Sequence, residues 1–220
     1  TYNDHQYRYS DHGFIYLQRV AENVTKESLD SLAAQYFYRP LGMNYTTYCA
    51  FSKFPLDSIA PTEYDRIYRR QVVRGFVHDP TASLLGGVSG NAGIFSNAND
   101  LGKLLQLFIN QGKYGGERLL DSATVALYTA TYNPGNRRGL GWDKPEIDTS
   151  KASPVGPTPS TLSFGHSGFT GTLVWVDPKT KLVYVFLSNR VYPDAENTKL
   201  AKMNIRTDIL DVLEKAVKER

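Results

Sequence analysis

The stretch Thr170-Gly-Thr-Leu-Val-Trp-Val-Asp-Pro-Lys-Thr-Lys-Leu-Val-Tyr-Val-Phe-Leu-Ser188 decides the fold class. Two runs, Thr170 to Val176 and Lys181 to Ser188, are rich in Val, Leu, Thr, Phe and Tyr, the side chains that fit a pleated surface. Between them, Asp177-Pro178-Lys179-Thr180 reads as a turn, because proline presets φ and aspartate can bond its own backbone. The pair is therefore an antiparallel hairpin. Leu173 to Val176 and Leu182 to Leu187 are apolar at consecutive positions, so both faces of each strand are expected inside the protein, under helices.

Working outward, Ile205, Ile209, Val212, Leu213 and Ala216 recur at helical spacing and predict a final helix lying across that sheet. Upstream, residues 133–160 carry Pro134, Pro145, Pro154, Pro157 and Pro159, which marks a long loop or subdomain boundary. Before it the periodicity is helical. Ser122 to Thr129 predicts a short helix, and Leu101, Leu104, Leu105 and Phe108 form the buried stripe of a longer one, capped by Ser96 or Asn97 and ended by Gly112. Residues 43–97, broken by Pro55, Pro61 and Pro80 and crowded with Gly86, Gly87, Gly90 and Gly93, read as irregular loops. Phe14, Leu17, Ala21 and Val24, then Leu29, Leu32, Ala33, Tyr36 and Phe37, predict two amphipathic helices at the start. The expectation is an α+β protein with a mostly helical, loop-rich part over 1–160 and antiparallel strands plus a last helix over 161–220.

Composition narrows the function. The 220 residues are 41% hydrophobic and 21% charged, an ordinary globular balance. A net charge of +3 is too small and scattered for phosphate tracking, which argues against nucleic acid, and Arg69, Arg70 and Arg74 read as a solvated face. No apolar run approaches the roughly twenty residues that span a bilayer. One cysteine excludes an internal disulfide and a thiolate cluster, and His5, His12, His78 and His166 lack metal-ligand spacing, so neither metal nor cofactor is expected.

Three clusters could carry chemistry: Tyr9-Ser10-Asp11 ahead of a helix, the glycine run from Gly86 to Gly93, and Gly165-His166-Ser167-Gly168 entering a strand. Each has a plainer reading. Tyr9 is one of 15 tyrosines, Asp11 is a natural helix cap, and the glycine run lacks the strand, lysine and helix of a phosphate loop, so close backbone packing explains it better. His166 departs from a structural histidine because flanking glycines allow a ligand to approach the strand edge.

Taken in order, Tyr9-Ser10-Asp11, then Gly86-Gly87-Val88-Ser89-Gly90-Asn91-Ala92-Gly93-Ile94-Phe95-Ser96, then His166-Ser167-Gly168 resemble the serine β-lactamase and penicillin-binding-protein superfamily in its class C and esterase-like branch. The stretch from Val77-His78-Asp79-Pro80 through Phe95-Ser96 and the stretch from Phe164 through Arg190 further resemble the β-lactamase-type domains attached to bacterial family 3 β-N-acetylglucosaminidases. The resemblance implies part of a β-lactamase/transpeptidase-like fold, an antiparallel sheet flanked by helices with a mostly helical subdomain. It implies a small-molecule or peptidoglycan-type substrate, a periplasmic or cell-envelope setting, and an attached glycosidase as a partner.

Such enzymes acylate a serine followed three residues later by lysine. No serine of this sequence has lysine at that spacing. The resemblance therefore implies that the nucleophile lies in an upstream, N-terminal part of the same domain, the alternative being a noncatalytic module that binds cell-wall peptide. Carried over residue by residue, Tyr9 matches the tyrosine that exchanges a proton with nucleophile and leaving group. A tyrosine ordinarily titrates near about 10, so a neighbouring cation must lower it. Asp11 stands where the family has an asparagine that donates to substrate amide, and a carboxylate cannot donate. His166 stands where the family often has lysine, replacing a permanent cation with one that ordinarily titrates near about 6.5. These departures turn the expectation from penicillins toward esters and D-amino-acid amides. Ser167 and Gly168 would receive a substrate carboxylate, the Phe169 amide would form half of an oxyanion hole, and Asn91 joins them as a substrate-binding candidate.

Overall fold

The computed structural model describes residues 7–133 and 135–219, and His5 lies outside them. The elements in chain order are α1 (Asp11–Thr25), α2 (Leu29–Ala33), β1 (Thr47–Tyr48), β2 (Pro61–Asp65), β3 (Gln71–Arg74), α3 (Pro80–Leu84), β4 (Ile94–Phe95), α4 (Ala98–Ile109), β5 (Lys113–Tyr114) and β6 (Glu117–Arg118). They continue with α5 (Ser122–Thr129), β7 (Phe164–Ser167), β8 (Leu173–Asp177), β9 (Leu182–Phe186), α6 (Lys199–Lys202) and α7 (Ile205–Lys218). The architecture is α+β. It divides into two units: one holds Tyr7 with residues 101–188 and 198–219, the other residues 8–100 and 189–197.

The first unit is built on the antiparallel meander β7-β8-β9, with Gly165 opposite Trp175 and Trp175 opposite Tyr184. As the doubly apolar strands predict, both faces are covered. Leu173, Trp175 and Tyr184 pack with Val155 and with Leu210 of α7. On the other face Phe164 and Val176 pack with Leu105 of α4, joined by Phe108 and Trp142. Asp177 closes the hairpin by accepting from Lys179 N at 2.9 Å, and it also accepts from the backbone and hydroxyl of Ser160, both at 2.6 Å.

The last helix departs from its predicted stripe. Ile209, Val212 and Leu213 are exposed, while Leu210 and Glu214 are buried, Glu214 completely. Hydrogen bonding sets this face: Asp211 accepts from Thr158 N at 3.2 Å, Glu214 from Thr180 Oγ1 at 3.3 Å, and Arg206 donates to Thr172 O at 2.9 Å. Burial, then the nearby Asp177 carboxylate, push the Glu214 carboxyl above its usual range.

The second unit contains the two opening helices. The second is shorter as an α-helix than its periodicity predicts, because Ala34–Tyr38 continue it as a π-helical turn. Between residues 43 and 97 the structure finds strands as well as loops. β2 and β3 pair across a tight turn in which Asp65 accepts from the amides of Ile67, Tyr68 and Arg69. Arg69 is not on a solvated face: it bonds Asp65, Glu63 and the carbonyls of Val77 and His78. Asn97 caps α4 by accepting from Asp100 N at 2.8 Å, and buried Asp100 accepts from Tyr45 N at 2.7 Å.

Candidate active site

The edge of β7 is assembled from three segments of the first unit. Gly165 exchanges both backbone hydrogen bonds with Asp143, at 2.8 and 2.9 Å, which lays residues 137–144 alongside the strand. Only glycine fits here. A Cβ would stand 2.1 Å from Val174 O and 2.3 Å from the Trp175 ring. The adjoining Asp143 carboxylate, itself buried, accepts from Arg137 Nε at 2.8 Å and pairs with Arg138 Nε at 3.2 Å. Partial burial opposes the Arg137 charge, but Asp143 and Glu146 outweigh it and hold the guanidinium above its usual range. Lys144 is buried beside it, its ammonium donating to the carbonyls of Thr129, Leu162 and Ser163, and burial lowers its pKa.

His166 follows on the strand. Its Nε2 lies 3.1 Å from Arg138 Nη1 and its Nδ1 lies 2.8 Å from Ser167 O. The Tyr7 ring packs 5.7 Å from the Arg138 guanidinium carbon, within cation–π range. Gly168 N donates to Thr172 O at 2.9 Å, Gly171 N to Gly168 O at 3.1 Å, and Ser188 Oγ to Gly171 O at 2.9 Å. Phe169 stands exposed at the tip of this pinned turn.

The structure thus brings His166, Ser167, Gly168 and Phe169 together at one strand edge. Tyr9, Asp11 and Asn91 belong to the second unit. Tyr9 is 56% exposed just ahead of α1. Ser10 occupies the N-cap in extended conformation, and Asp11 is the first helical residue, so Asp11 adds its charge to the first turn rather than capping it. The glycine run packs closely, as its plainer reading predicts: Gly90 approaches α1 so tightly that a Cβ would stand 2.2 Å from Phe14 O. Gln18, buried in the helix, fastens the contact by accepting from Gly90 N at 3.0 Å and donating to Val88 O at 3.3 Å. Asn91 accepts from Ser89 Oγ at 2.7 Å and donates to Asp79 Oδ1 at 3.4 Å, which orients its amide within its own loop.

Reading the sequence missed Arg138, Asp143 and Lys144, because residues 133–160 look like proline-rich linker. Their signal was Arg137-Arg138 placed shortly before Trp142-Asp143-Lys144, an apolar and charged alternation that a linker does not need. Among the described residues no cluster of three or more His, Cys, Asp or Glu could hold a metal ion, and no helix is long and apolar enough to cross a membrane.

A both-sides-covered antiparallel sheet with a glycine-lined edge is the frame of the β-lactamase and penicillin-binding-protein class. The chain belongs to the Beta-lactamase family, whose profile matches residues 3–205. It is 34% identical over 194 residues to an Escherichia coli K12 protein named "Putative D-alanyl-D-alanine carboxypeptidase", covering 83% of this chain and 44% of that protein. A Salmonella typhi protein of the same name is 34% identical over 204 residues, covering 87% of this chain and 47% of that one. The chain therefore spans a little under half the length of these relatives. Among solved structures, a β-lactamase from Mycobacterium bovis superposes with a TM-score of 0.64 at 20% identity, covering 95% of this chain and 64% of that one. A penicillin-binding protein homologue from Pyrococcus abyssi gives 0.61 at 19%, covering 92% and 43%. At these identities the likeness is one of fold.

Proposed function

We propose that this chain is the part of a serine acyl hydrolase that supplies the proton-transfer group and the substrate-binding strand edge, while the nucleophilic serine and its lysine come from an N-terminal part of the same domain. The observation that carries this reading is the edge of β7, where a glycine-spaced strand leads into a turn fixed by Thr172 and Ser188. Such a turn has little freedom to reorganise, which is what stabilising a developing oxyanion needs, and the resemblance assigns that role to the Phe169 amide it carries. Serine Oγ attacks an acyl carbonyl, its proton passing to Tyr9 and on to the leaving group; water then cleaves the acyl-enzyme ester. Ser167 and Gly168 receive the substrate carboxylate and His166 borders them, and the resemblance assigns Asp11 to catalysis and Asn91 to substrate binding.

The relatives' name supports a substrate ending in D-alanyl-D-alanine and an envelope location. Their length, with the exposed apolar side chains of α1, supports further chain packed on that helix. Lining residues Phe14, Leu17, Ala21, Leu29 and Tyr48 leave a groove of about 230 Å³ there.

The test is turnover of an acylated D-alanyl-D-alanine peptide and of a p-nitrophenyl ester by the full-length protein. Hydrolysis of either is expected, residues 1–220 alone giving none. Replacing Tyr9 by Phe should lower kcat by roughly 10²-fold or more. A full-length protein with neither activity, yet binding muropeptide in a calorimeter, would leave the noncatalytic accessory role instead.

A further inference from the structure

We propose that Arg138 and His166 act as positioning residues, a two-step clamp that fixes the peptide group between Ser167 and Gly168 and so aims the turn carrying Phe169. Arginine has five N–H donors and no acceptor, so the 3.1 Å contact from Arg138 Nη1 is a hydrogen bond only where His166 Nε2 accepts. The ring proton then sits on Nδ1, and it points at Ser167 O, 2.8 Å away, a carbonyl that can only accept. Both ring nitrogens are thus assigned by partners of fixed polarity.

The same peptide is held at its other end, where Gly168 N donates to Thr172 O at 2.9 Å. That carbonyl also receives Arg206 Nη1 at 2.9 Å. Arg138 is itself fixed by Asp143 at 3.2 Å, and Asp143 is fixed to β7 through its backbone pairing with Gly165. Among the described residues, Arg138 meets the imidazole, Asp143 pairs with Arg137 and Arg138, Glu146 pairs with Arg137, and the Tyr7 ring lies over the Arg138 guanidinium. The imidazole in this arrangement is a hydrogen-bonding strut, and the permanent positive charge beside the strand belongs to Arg138.

The clamp is read directly from ring nitrogens, independently of turnover. Protein with ¹⁵N-labelled histidine is observed at pH 8 by long-range ¹H–¹⁵N correlation, the His166 signals being those lost in His166→Gln. Expected is the Nδ1–H tautomer in the wild type, a shift to predominantly Nε2–H in Arg138→Met, and return to Nδ1–H in Arg138→Lys, whose ammonium still donates. An Nε2–H tautomer in the wild type overturns the proposal whether or not any variant folds, as does an unchanged tautomer in a folded Arg138→Met protein. A second readout rests on the hydrolase reading: in the full-length enzyme Arg138→Met should lower kcat about tenfold with KM changed less than threefold, and Arg138→Lys should restore it. Absence of turnover in the wild type would remove the hydrolase reading and leave the tautomer result standing; a fall in KM-linked binding alone would overturn the positioning role.

Discussion

The central sheet and helix α1 carry the same signal in sequence, apolar side chains at regular spacing, and the structure treats them in opposite ways. Leu173, Trp175 and Val176 of β8 are buried between α4 and α7. On α1 the predicted stripe is largely outside: Leu17 is 62% and Val24 77% exposed, while the buried residue is Gln18. Periodicity announces that a face wants a partner; it does not say where in the chain the partner is. In β8 both partners lie within the described residues. Among them α1 is fastened by polar groups and backbone, through the Gln18 contacts with Gly90 and Val88 and through Glu22, which accepts from Leu29 N at 3.1 Å.

The contrast can be broken most easily at Trp175. Truncation to alanine removes a fully buried indole and should cost about 3–5 kcal/mol in urea unfolding. Gly165→Ala places a methyl against Val174 O and the same indole, and should cost about 1–3 kcal/mol by strain. A loss below ~0.5 kcal/mol at either position would contradict the close packing of Trp175 and Gly165. Gln18→Ala strands Gly90 N and Val88 O and should cost about 1 kcal/mol, so a helix held by its apolar stripe instead would tolerate it.

Glu214 makes the stability of the first unit depend on pH. Its folded pKa is raised, so its protonated form stabilises the first unit fully below about 4.5, the ordinary value, and this contribution is lost as pH rises through the folded value. Thermal melts of Glu214→Gln should lose that loss: the difference in Tm between variant and wild type grows in the variant's favour from pH 4 upward. A difference independent of pH would contradict the burial of this carboxyl. Smallest of all, Leu17→Ala in residues 1–220 should change stability by less than ~0.5 kcal/mol. In the full-length protein the same change should cost about 2 kcal/mol or more if additional chain packs on α1.

Much of the fold was legible because strong local rules acted alone. The hairpin turn at Asp177-Pro178, the helix Ser122–Thr129 and the Asn97 cap all appear where the residues require them. What stayed hidden depended on distant partners. In the β2-β3 hairpin the apolar residues are few, chiefly the adjacent Val72 and Val73, and its turn is made by Asp65 collecting amides, so no alternation betrays it. The buried face of α7 is chosen by Thr180, Thr158 and Thr172, residues 25 or more positions away, against its own apolar stripe. The site was half legible. The glycine and histidine spacing marked the edge of β7, whereas Arg138 and Asp143, which orient His166, reach it from a segment that reads as loop.

We propose that acyl chemistry at this strand edge uses a serine from outside residues 1–220. Peptide mapping by mass spectrometry after treating the full-length protein with a fluorophosphonate tests it directly. One adduct is predicted, on a serine followed three residues later by lysine and lying N-terminal to this chain, with slower labelling in Tyr9→Phe. An adduct on a serine within residues 1–220, or none at all, would contradict it.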